Sequence, residues 1–370
     1  MSLNKAQSAV RPSLAPGTQV RDTYTVVEHL GSGRFADAYL VRHRYMGMQV
    51  MKLLVDGLSD ADRVESLSEA FLLSKISHPG IVRVFDANRI DEQLGGHPYI
   101  TMEYVAGGTL ESMLKNSPEG LILDVALELG RQIAEALGHA HDLEYPVIHR
   151  DIKPANLLLE EIDNGELAVR IGDFGLACRV ERFTKVAEAG GTIVYMSPES
   201  IRGYEVAASD VFSAGLVLYE MLTGTLPYPR RTISESRTVP ELKLALQSLH
   251  ENGLMAPSHF DPQIPADVDS VVMRSLHVDD QFRFQSATSL AHAIAACQHR
   301  LRSYPQHVQT ADENVKLKHI FSATCQPETT EQAIGELDSL ISGRQELAFA
   351  YGLHFKHLRI EWNRYLREKV

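Results

Sequence analysis

The hydrophobic pattern of this chain changes its period near Thr109, and this change constrains the fold more than any other feature. Before Thr109, four short runs are rich in strand-forming residues, and the first three are separated by turns that contain glycine; they cover residues 24–30, 38–42, 49–55 and 98–104. After Thr109, five runs place apolar residues three and four positions apart; they cover residues 125–143, 207–222, 240–251, 266–276 and 286–298. A strand-rich part followed by a helix-rich part predicts an α+β protein with two lobes.

Three further segments depart from this simple division. Residues 59–76 predict one helix among the strands of the first lobe, because apolar residues recur there at helical spacing, at Val64, Leu67, Phe71 (or Leu72) and Ile76. Short strands are predicted at residues 156–159 and 169–172, inside the helical lobe. The loops beside these strands hold the polar residues that are most informative about function.

The limits of the lobes follow from the same patterns. Residues 1–21 are rich in Ser, Pro, Gln and Ala, which predicts a flexible leader. Residues 22–300 then form the two lobes, a strand-rich N-lobe over about 22–105 and a mainly helical C-lobe over about 106–300. Residues 301–370 are predicted to form a helical C-terminal extension.

The extension carries a helical apolar pattern of its own. Thr329 and Gln332 have the spacing of a capping box, and a later stripe of apolar side chains includes Leu347, Tyr351 and Trp362. Because such a stripe needs a partner surface, we expect it to dock on the C-lobe, pair with a second copy, recruit another protein or complete the core.

Composition excludes several classes of partner. The 36 Lys and Arg against 48 Asp and Glu give a net charge of −12, which argues against nucleic acid as a partner. Cys178, Cys297 and Cys325 lie far apart, so neither a disulfide framework nor a zinc site is indicated. No run approaches the ~18 apolar residues of a membrane span. We therefore expect a cytoplasmic protein without a membrane span.

The most specific motif is a polar stretch followed by a second, shorter one. It reads His149-Arg150-Asp151-Ile152-Lys153-Pro154-Ala155-Asn156 and, seventeen residues after Asn156, Asp173-Phe174-Gly175. Transfer of a phosphoryl group needs a carboxylate that orients a hydroxyl, which Asp151 supplies, and positive charge on the moving group, which Lys153 supplies. It also needs oxygen ligands for Mg²⁺, which Asn156 and Asp173 supply.

A glycine-containing turn precedes this motif in the chain. It reads Gly31-Ser32-Gly33-Arg34-Phe35-Ala36 and lies between two predicted strands, so its bare backbone can lie over phosphates. A plain hairpin turn is the alternative interpretation. A Rossmann site is disfavoured because a strand, rather than a helix, follows the turn.

Lys52 is a cationic residue in an otherwise apolar strand. Because a buried ammonium needs an anion, we expect Lys52 to pair with Glu69 of the predicted helix and to face the phosphates. The alternatives are a lysine that faces solvent on an edge strand and a Glu69 on an exposed helix face.

Together these motifs resemble the bacterial, eukaryotic-like serine/threonine protein kinases, over about residues 24–298. The resemblance implies the bilobal protein kinase fold and transfer of the γ-phosphate of ATP, with Mg²⁺ or Mn²⁺, to hydroxyls of proteins that include the chain itself. Lys153 together with Thr192 implies Ser or Thr, rather than Tyr, as the acceptor.

The resemblance also implies an adenine pocket built from the turn, two strands, a hinge and the floor of the cleft. Its residues are Leu30, Gly31, Ser32, Gly33, Ala38, Val50, Lys52, Met102, Glu103, Val105 and Leu158. Ala38 and Val50 exchange the sizes usual at their positions, so the total volume is conserved. Met102 as an ordinary core residue is equally consistent with the sequence.

A segment from Gly191 to Glu199 resembles the family's substrate-docking segment. Within it, Thr192 is expected to lie beside the catalytic loop, and Glu199 is expected to pair with Arg283. Asp210 is expected to support the catalytic loop from a helix. Thr184 is the expected site of an activating phosphate, which Arg150 and neighbouring arginines would bind.

Two other classes of function fit parts of the pattern. A pseudokinase that acts as a scaffold would lack Lys52, Asp151 or Asp173, and all three are present. A phosphotransferase for small molecules would not need the docking segment or the pair of Glu199 and Arg283. The sequence therefore favours an active protein kinase.

Overall fold

The computed structural model describes residues 13–32, 36–54, 74, 76–162, 166–174, 193–229, 236 and 238–303. In the N-lobe, six antiparallel strands form one sheet in the order β1-β2-β3-β4-β6-β5. They are β1 Gln19–Val20, β2 Tyr24–Ser32, β3 Ala36–His43, β4 Gly47–Leu54, β5 Val84–Arg89 and β6 Pro98–Glu103. The four strands predicted from the sequence are present as β2, β3, β4 and β6.

The C-lobe is helical, with one small sheet of two strands, β7 Leu157–Glu161 and β8 Leu167–Ile171. Its described α-helices are α1 Leu110–Lys115, α2 Leu123–His141, α3 Pro198–Arg202, α4 Ala207–Thr223, α5 Val239–Asn252, α6 Ala266–Ser275 and α7 Ala287–Ser303. All five predicted helices of this lobe are confirmed as α2 and α4–α7. No helix in the described ranges is long and apolar enough to cross a membrane.

Alternation along β4 gives the N-lobe sheet two different faces. Met51 and Leu53 point to one face, where they belong to the core of the N-lobe. Val50 and Lys52 point to the other face and are only partly buried. Because neighbours across strands share a face, Ala38, opposite Lys52, lies on this second face as well.

The C-lobe core surrounds α4, which is apolar on nearly all sides. Fourteen of its residues are buried, and it packs against α2, α6 and α7. A helix that is hydrophobic all round belongs in the interior of a protein. The same core extends under the N-lobe sheet through Ile100 and Met102 of β6, so one apolar cluster joins the lobes.

The expected flexible leader is wrong for residues 13–21. Leu14 is buried in the N-lobe core, and its backbone N–H donates to the hydroxyl of Tyr39 at 3.3 Å. Val20 of β1 is also buried and pairs with Tyr24. This short segment escaped prediction because two buried residues six positions apart show no period.

Other predictions lie outside the described residues. They are the helix over residues 59–76, apart from its last part, and the C-terminal extension beyond Ser303. Besides β1, three named elements were missed, namely β5, α1 and α3. Each buries so few side chains that no periodic pattern arises.

Candidate active site

The cleft between the lobes brings Lys52 of β4 to Asp173, which follows β8. The ammonium of Lys52 donates to Asp173 Oδ1 in an ion pair across 121 positions of sequence. Asp173 adopts a left-handed backbone conformation with φ of +58°, which is uncommon outside glycine. Burial alone would raise the pKa of Asp173, but the adjacent Lys52 outweighs burial and lowers it, so the carboxylate is charged.

The catalytic loop between α2 and β7 is held from below by Asp210 of α4. Asp210 is almost fully buried, and its Oδ2 accepts the backbone N–H of His149 at 2.7 Å, while Oδ1 accepts that of Arg150 at 2.8 Å. His141 Nε2 also lies 2.8 Å from Oδ2. The supporting role expected of Asp210 is therefore confirmed, whereas its contact with His141 was not foreseen.

His149 links the loop to the residue before Asp173. Its Nδ1 accepts the backbone N–H of Asp151 at 3.2 Å, so in the neutral ring Nε2 carries the hydrogen and donates to the carbonyl of Gly172 at 2.9 Å. The ring of Phe174 packs edge-on against it, with centroids 4.5 Å apart. These contacts fix the spacing between the two polar motifs.

Asp151 is contacted by two side chains from its own loop. Its Oδ2 accepts hydrogen bonds from Lys153 Nζ at 2.8 Å and from Asn156 Nδ2 at 3.0 Å. Asn156 Nδ2 also donates to the backbone carbonyl of Asp151 at 2.8 Å. The three side chains that the sequence assigned to one loop therefore meet at one carboxylate.

Asn156 is linked to the residue before Asp173, because the N–H of Gly172 donates to the carbonyl of Asn156 at 2.8 Å. The amide nitrogen of Asn156 is directed at Asp151, which turns the amide oxygen away from that carboxylate. An amide oxygen beside a charged carboxylate is a donor set that fits a hard divalent cation. The residues present therefore fit the metal that the resemblance implies.

The proposed adenine residues lie on one face of the N-lobe sheet. Gly31 is opposite Ala38, Ala38 is opposite Lys52, and Val50 is opposite Met102. Val105 and Leu158 are half-buried and pack against the core that contains Met102. The structure thus brings these residues to one side of the cleft.

The remaining residues of this set have less uniform environments. Leu30 and Ser32 are exposed at the end of β2. The side chain of Glu103 turns towards the C-lobe, where Arg170 lies 3.6 Å away. Only the backbone of Glu103 therefore remains to serve the hinge.

The predicted ion pair of Glu199 and Arg283 is present and buried. Arg283 Nη1 and Nη2 donate to the two carboxylate oxygens at 2.7 and 2.8 Å, and the other three N–H groups donate to the carbonyls of His277, Ala208 and Val278. Burial would raise the pKa of Glu199, but Arg283 lowers it. All five donors of the guanidinium are used, as a buried charge requires.

Tyr195 of the docking segment is a packing residue in this structure. It is partly buried, and its hydroxyl donates to Glu220 Oε2 at 2.6 Å. Four site residues named from the sequence lie outside the described residues, namely Gly33, Glu69, Thr184 and Thr192. The pairing of Lys52 with Glu69 thus stays a prediction.

One contact of the catalytic loop had no signal in the sequence. The guanidinium of Arg150 forms an ion pair with Glu205, which lies between α3 and α4, with Nε and Oε2 3.1 Å apart. Glu205 belongs to no motif and no periodic run, so its neighbour could be found only from the fold.

Comparison with known proteins agrees with this geometry. Residues 24–295 match the family described as "Protein kinase domain". PknB, a serine/threonine-protein kinase of Mycobacterium leprae, is 33% identical over 282 residues, which are 73% of this chain and 42% of that protein. PrkC, a serine/threonine-protein kinase of Bacillus subtilis, is 28% identical over 339 residues, which are 89% of this chain and 48% of that protein.

The fold is similar to a solved structure as well. The crystal structure of the PknI kinase domain of Mycobacterium tuberculosis superimposes with a TM-score of 0.59 and 27% identity, covering 78% of this chain and all of that one. The chain spans less than half the length of the curated relatives it matches. It belongs to the protein kinase family and carries a kinase domain of the bacterial serine/threonine type.

Proposed function

We propose that the protein to which this chain belongs transfers the γ-phosphate of ATP to Ser or Thr hydroxyls of proteins, including its own. The observation that carries the proposal is the convergence of Lys153 and Asn156 on the carboxylate of Asp151, close to the pair of Lys52 and Asp173. This arrangement supplies a base, a cation for the phosphates and oxygen donors for a metal within one cleft.

In this proposal, Asp151 orients the hydroxyl group that receives the phosphate. Its Oδ2 is held by Lys153 and Asn156, so Oδ1 is the oxygen that would accept the hydrogen of the hydroxyl. Lys153, held beside Asp151, would offset charge on the moving phosphoryl group, and Lys52 would bind the α- and β-phosphates. The contacts that hold Lys153 beside Asp151 and Lys52 beside Asp173 support this assignment.

In this proposal, Asn156 and Asp173 are the ligands of the metal ion. Kinase domains use ATP with a divalent cation, and we propose Mg²⁺ here, with Mn²⁺ as the alternative. When bound, the ion supplies positive charge to the β- and γ-phosphate oxygens. Asn156 and Asp173 would hold it, and the hydrogen bond from the N–H of Gly172 to the carbonyl of Asn156 links the two loops that carry these residues.

In this proposal, the protein substrate binds to the segment that ends at Glu199. Buried anchoring of Glu199 by Arg283 and packing of Tyr195 on Glu220 fix the described part of this segment beside the catalytic loop. Lys153 supports a Ser or Thr acceptor, with Thr192 as its expected partner in the family pattern.

The test is transfer of radiolabelled phosphate from ATP with Mg²⁺ to a generic basic protein. We expect the native chain to label the substrate and Asp151→Asn to lower the rate by about 10³-fold, as loss of a general base does. Equal labelling by both proteins would contradict the assignment of Asp151. A native chain that binds ATP without any transfer would favour the scaffold function instead.

Three further proposals concern regulation, the C-terminal extension and the location of the protein. Phosphorylation of Thr184 would raise activity, and mass spectrometry of protein incubated with ATP can detect a phosphate on Thr184. The helical extension would dock on the C-lobe or on a second copy, and the emission of Trp362, the single tryptophan, reports its burial. A cytoplasmic location rests on the wide spacing of the three cysteines.

A further inference from the structure

Glu205 is an acidic residue whose contact neither the motif nor the proposed reaction explains. Its Oε2 lies 3.1 Å from Arg150 Nε, and the two side chains are 16% and 29% exposed. Opposite charges at this distance attract far more strongly when water is largely excluded. The residue directly after Arg150 is the catalytic Asp151, so whatever fixes Arg150 also affects the position of the base.

Arg150 is held in a conformation that needs support. Its φ is +70°, in the left-handed region where a side chain of this size is strained. Such a conformation persists only where the surroundings determine it. Two groups from one stretch of chain provide this support, because Asp210 accepts the backbone N–H of Arg150 while Glu205 faces its side chain.

The contact of Arg150 with Glu205 depends on charge more than on hydrogen-bond geometry. Arg150 Nε is buried and has no aligned acceptor among the described residues, although Glu205 Oε2 is within 3.1 Å. The 3.1 Å distance shows an ion pair, although Nε makes no hydrogen bond that satisfies the geometric criteria. A neutral side chain of the same shape should therefore lose most of the interaction.

We propose that Glu205 is a positioning residue for Asp151, acting through Arg150. Its negative charge holds the guanidinium, and together with Asp210 it keeps the backbone of Arg150 in the conformation that presents Asp151 to the acceptor hydroxyl. This inference rests on the proposed kinase function and extends it to a residue outside the catalytic motif.

The experiment compares steady-state transfer by the full chain and three variants. Glu205→Gln removes the charge and keeps the shape, Glu205→Asp keeps the charge, and Glu251→Gln removes a carboxylate that is 65% exposed and 3.9 Å from Arg202. We expect Glu205→Gln to lower kcat about tenfold with KM for ATP within about twofold, since a small misplacement of a catalytic group slows the chemical step. Glu205→Asp should keep at least about half of kcat, and Glu251→Gln should match the native chain.

Each other outcome contradicts the inference. If Glu205→Gln keeps full kcat, or if Glu205→Asp loses as much as Glu205→Gln, the charge of Glu205 does not position the base. If the loss of kcat comes with an equal rise in KM and a melting temperature lowered by more than about 5 °C, the role is structural. A native chain without transfer would overturn the proposed function and this inference with it, whereas an active native chain and an unaffected Glu205→Gln would overturn this inference alone.

Discussion

Two charged clusters, one inside the C-lobe and one in the cleft between the lobes, use the same kinds of side chain in different ways. In the scaffold cluster, formed by Glu199, Arg283 and Ser209, the ion-paired side chains are at most 3% exposed. In the cleft cluster, formed by Lys52, Asp151, Lys153, Asn156 and Asp173, the ion-paired side chains are 17–35% exposed. A buried charge must have every partner supplied by the protein, whereas a partly exposed one can exchange its partners for a ligand.

This difference in exposure indicates that the scaffold cluster serves stability and the cleft cluster serves catalysis. Every N–H of Arg283 has an acceptor within the protein, so removing Arg283 leaves several buried groups without a partner. Asp173, by contrast, combines a left-handed backbone with a carboxylate that faces the cleft. Strained and partly exposed groups are typical of functional sites. Variants of the cleft cluster should therefore lose activity, and variants of the scaffold cluster should lose stability.

The largest effect is expected for Asp173→Asn. Asparagine tolerates the left-handed conformation of Asp173, so the backbone should be unchanged while the charged metal ligand is lost. We expect transfer from ATP to fall by about 10³-fold, as for other groups that stabilise developing charge. The free energy of unfolding should change by less than about 1 kcal/mol, because the pair with Lys52 is partly exposed.

The matched control is Asp22→Asn, an exposed aspartate of the N-lobe with φ of +51°. It makes the same chemical change in a similar backbone conformation and should leave the rate of transfer unaltered. Transfer by Asp173→Asn within tenfold of the native rate would remove Asp173 from the cleft cluster as a functional group.

The second effect is a loss of stability in Arg283→Met. This change leaves the carboxylate of Glu199 buried without a counter-charge, which costs about 3–5 kcal/mol in the free energy of unfolding. Denaturation in urea measures the loss. Arg300→Met is the control, because Arg300 is exposed and pairs with Asp267 at the surface, and its midpoint should stay at the native value. Equal midpoints for both variants would show that burial of the scaffold pair has no energetic consequence.

The two clusters also differ in how far the sequence revealed them. Asp151, Asn156 and Asp173 were located from motif spacing alone, since their order along the chain is fixed by the loop and the short sheet that hold them. Glu199 and Arg283, 84 positions apart, were paired through the family resemblance, and the structure confirms the contact. These residues belong to chemical patterns that can be recognised in the sequence before the fold is known.

Residues without such a pattern were missed. Glu205 contacts Arg150 only because the tertiary structure places the loop between α3 and α4 beside the catalytic loop. Leu14 is buried by packing on Tyr39 rather than by membership of a periodic element. α1 has six residues, too few for an amphipathic repeat to be distinguished from chance.

The third effect links the scaffold cluster to pH. His250 packs against the ring of Phe212, over which Arg283 also lies, and its Nε2 is 2.9 Å from the hydroxyl of Tyr228. Burial, together with the charge of Arg283, lowers the pKa of His250 to about 4. The unfolded chain therefore takes up a proton near pH 6.5 while the folded chain stays neutral, so stability is complete above pH 6.5 and falls as the pH drops towards 4.

The expected loss in unfolding free energy over this window is about 3 kcal/mol, since each pH unit between the two pKa values costs about 1.4 kcal/mol. His250→Gln keeps a hydrogen-bonding group and removes the titration, so its unfolding free energy should depend less on pH between 6.5 and 4. His292→Gln, at an exposed position, serves as the control and should keep the native slope. Parallel pH profiles for native protein and His250→Gln would show that His250 is not the group responsible.

The smallest effect is expected for Ser209→Ala, which tests whether the scaffold cluster depends on its third member. Ser209 Oγ donates to Glu199 Oε1 at 2.7 Å and accepts the backbone N–H of Val206 at 3.1 Å, at the start of α4. Loss of one hydrogen bond to a charge and one at a helix start should cost about 1–2 kcal/mol, less than loss of Arg283 because Glu199 keeps both guanidinium contacts. Ser112→Ala, which removes an exposed contact with Thr109, should cost less than about 0.5 kcal/mol. If urea denaturation gives Ser209→Ala and Ser112→Ala the same midpoint, the scaffold cluster is a pair of residues and the serine only fills space beside it.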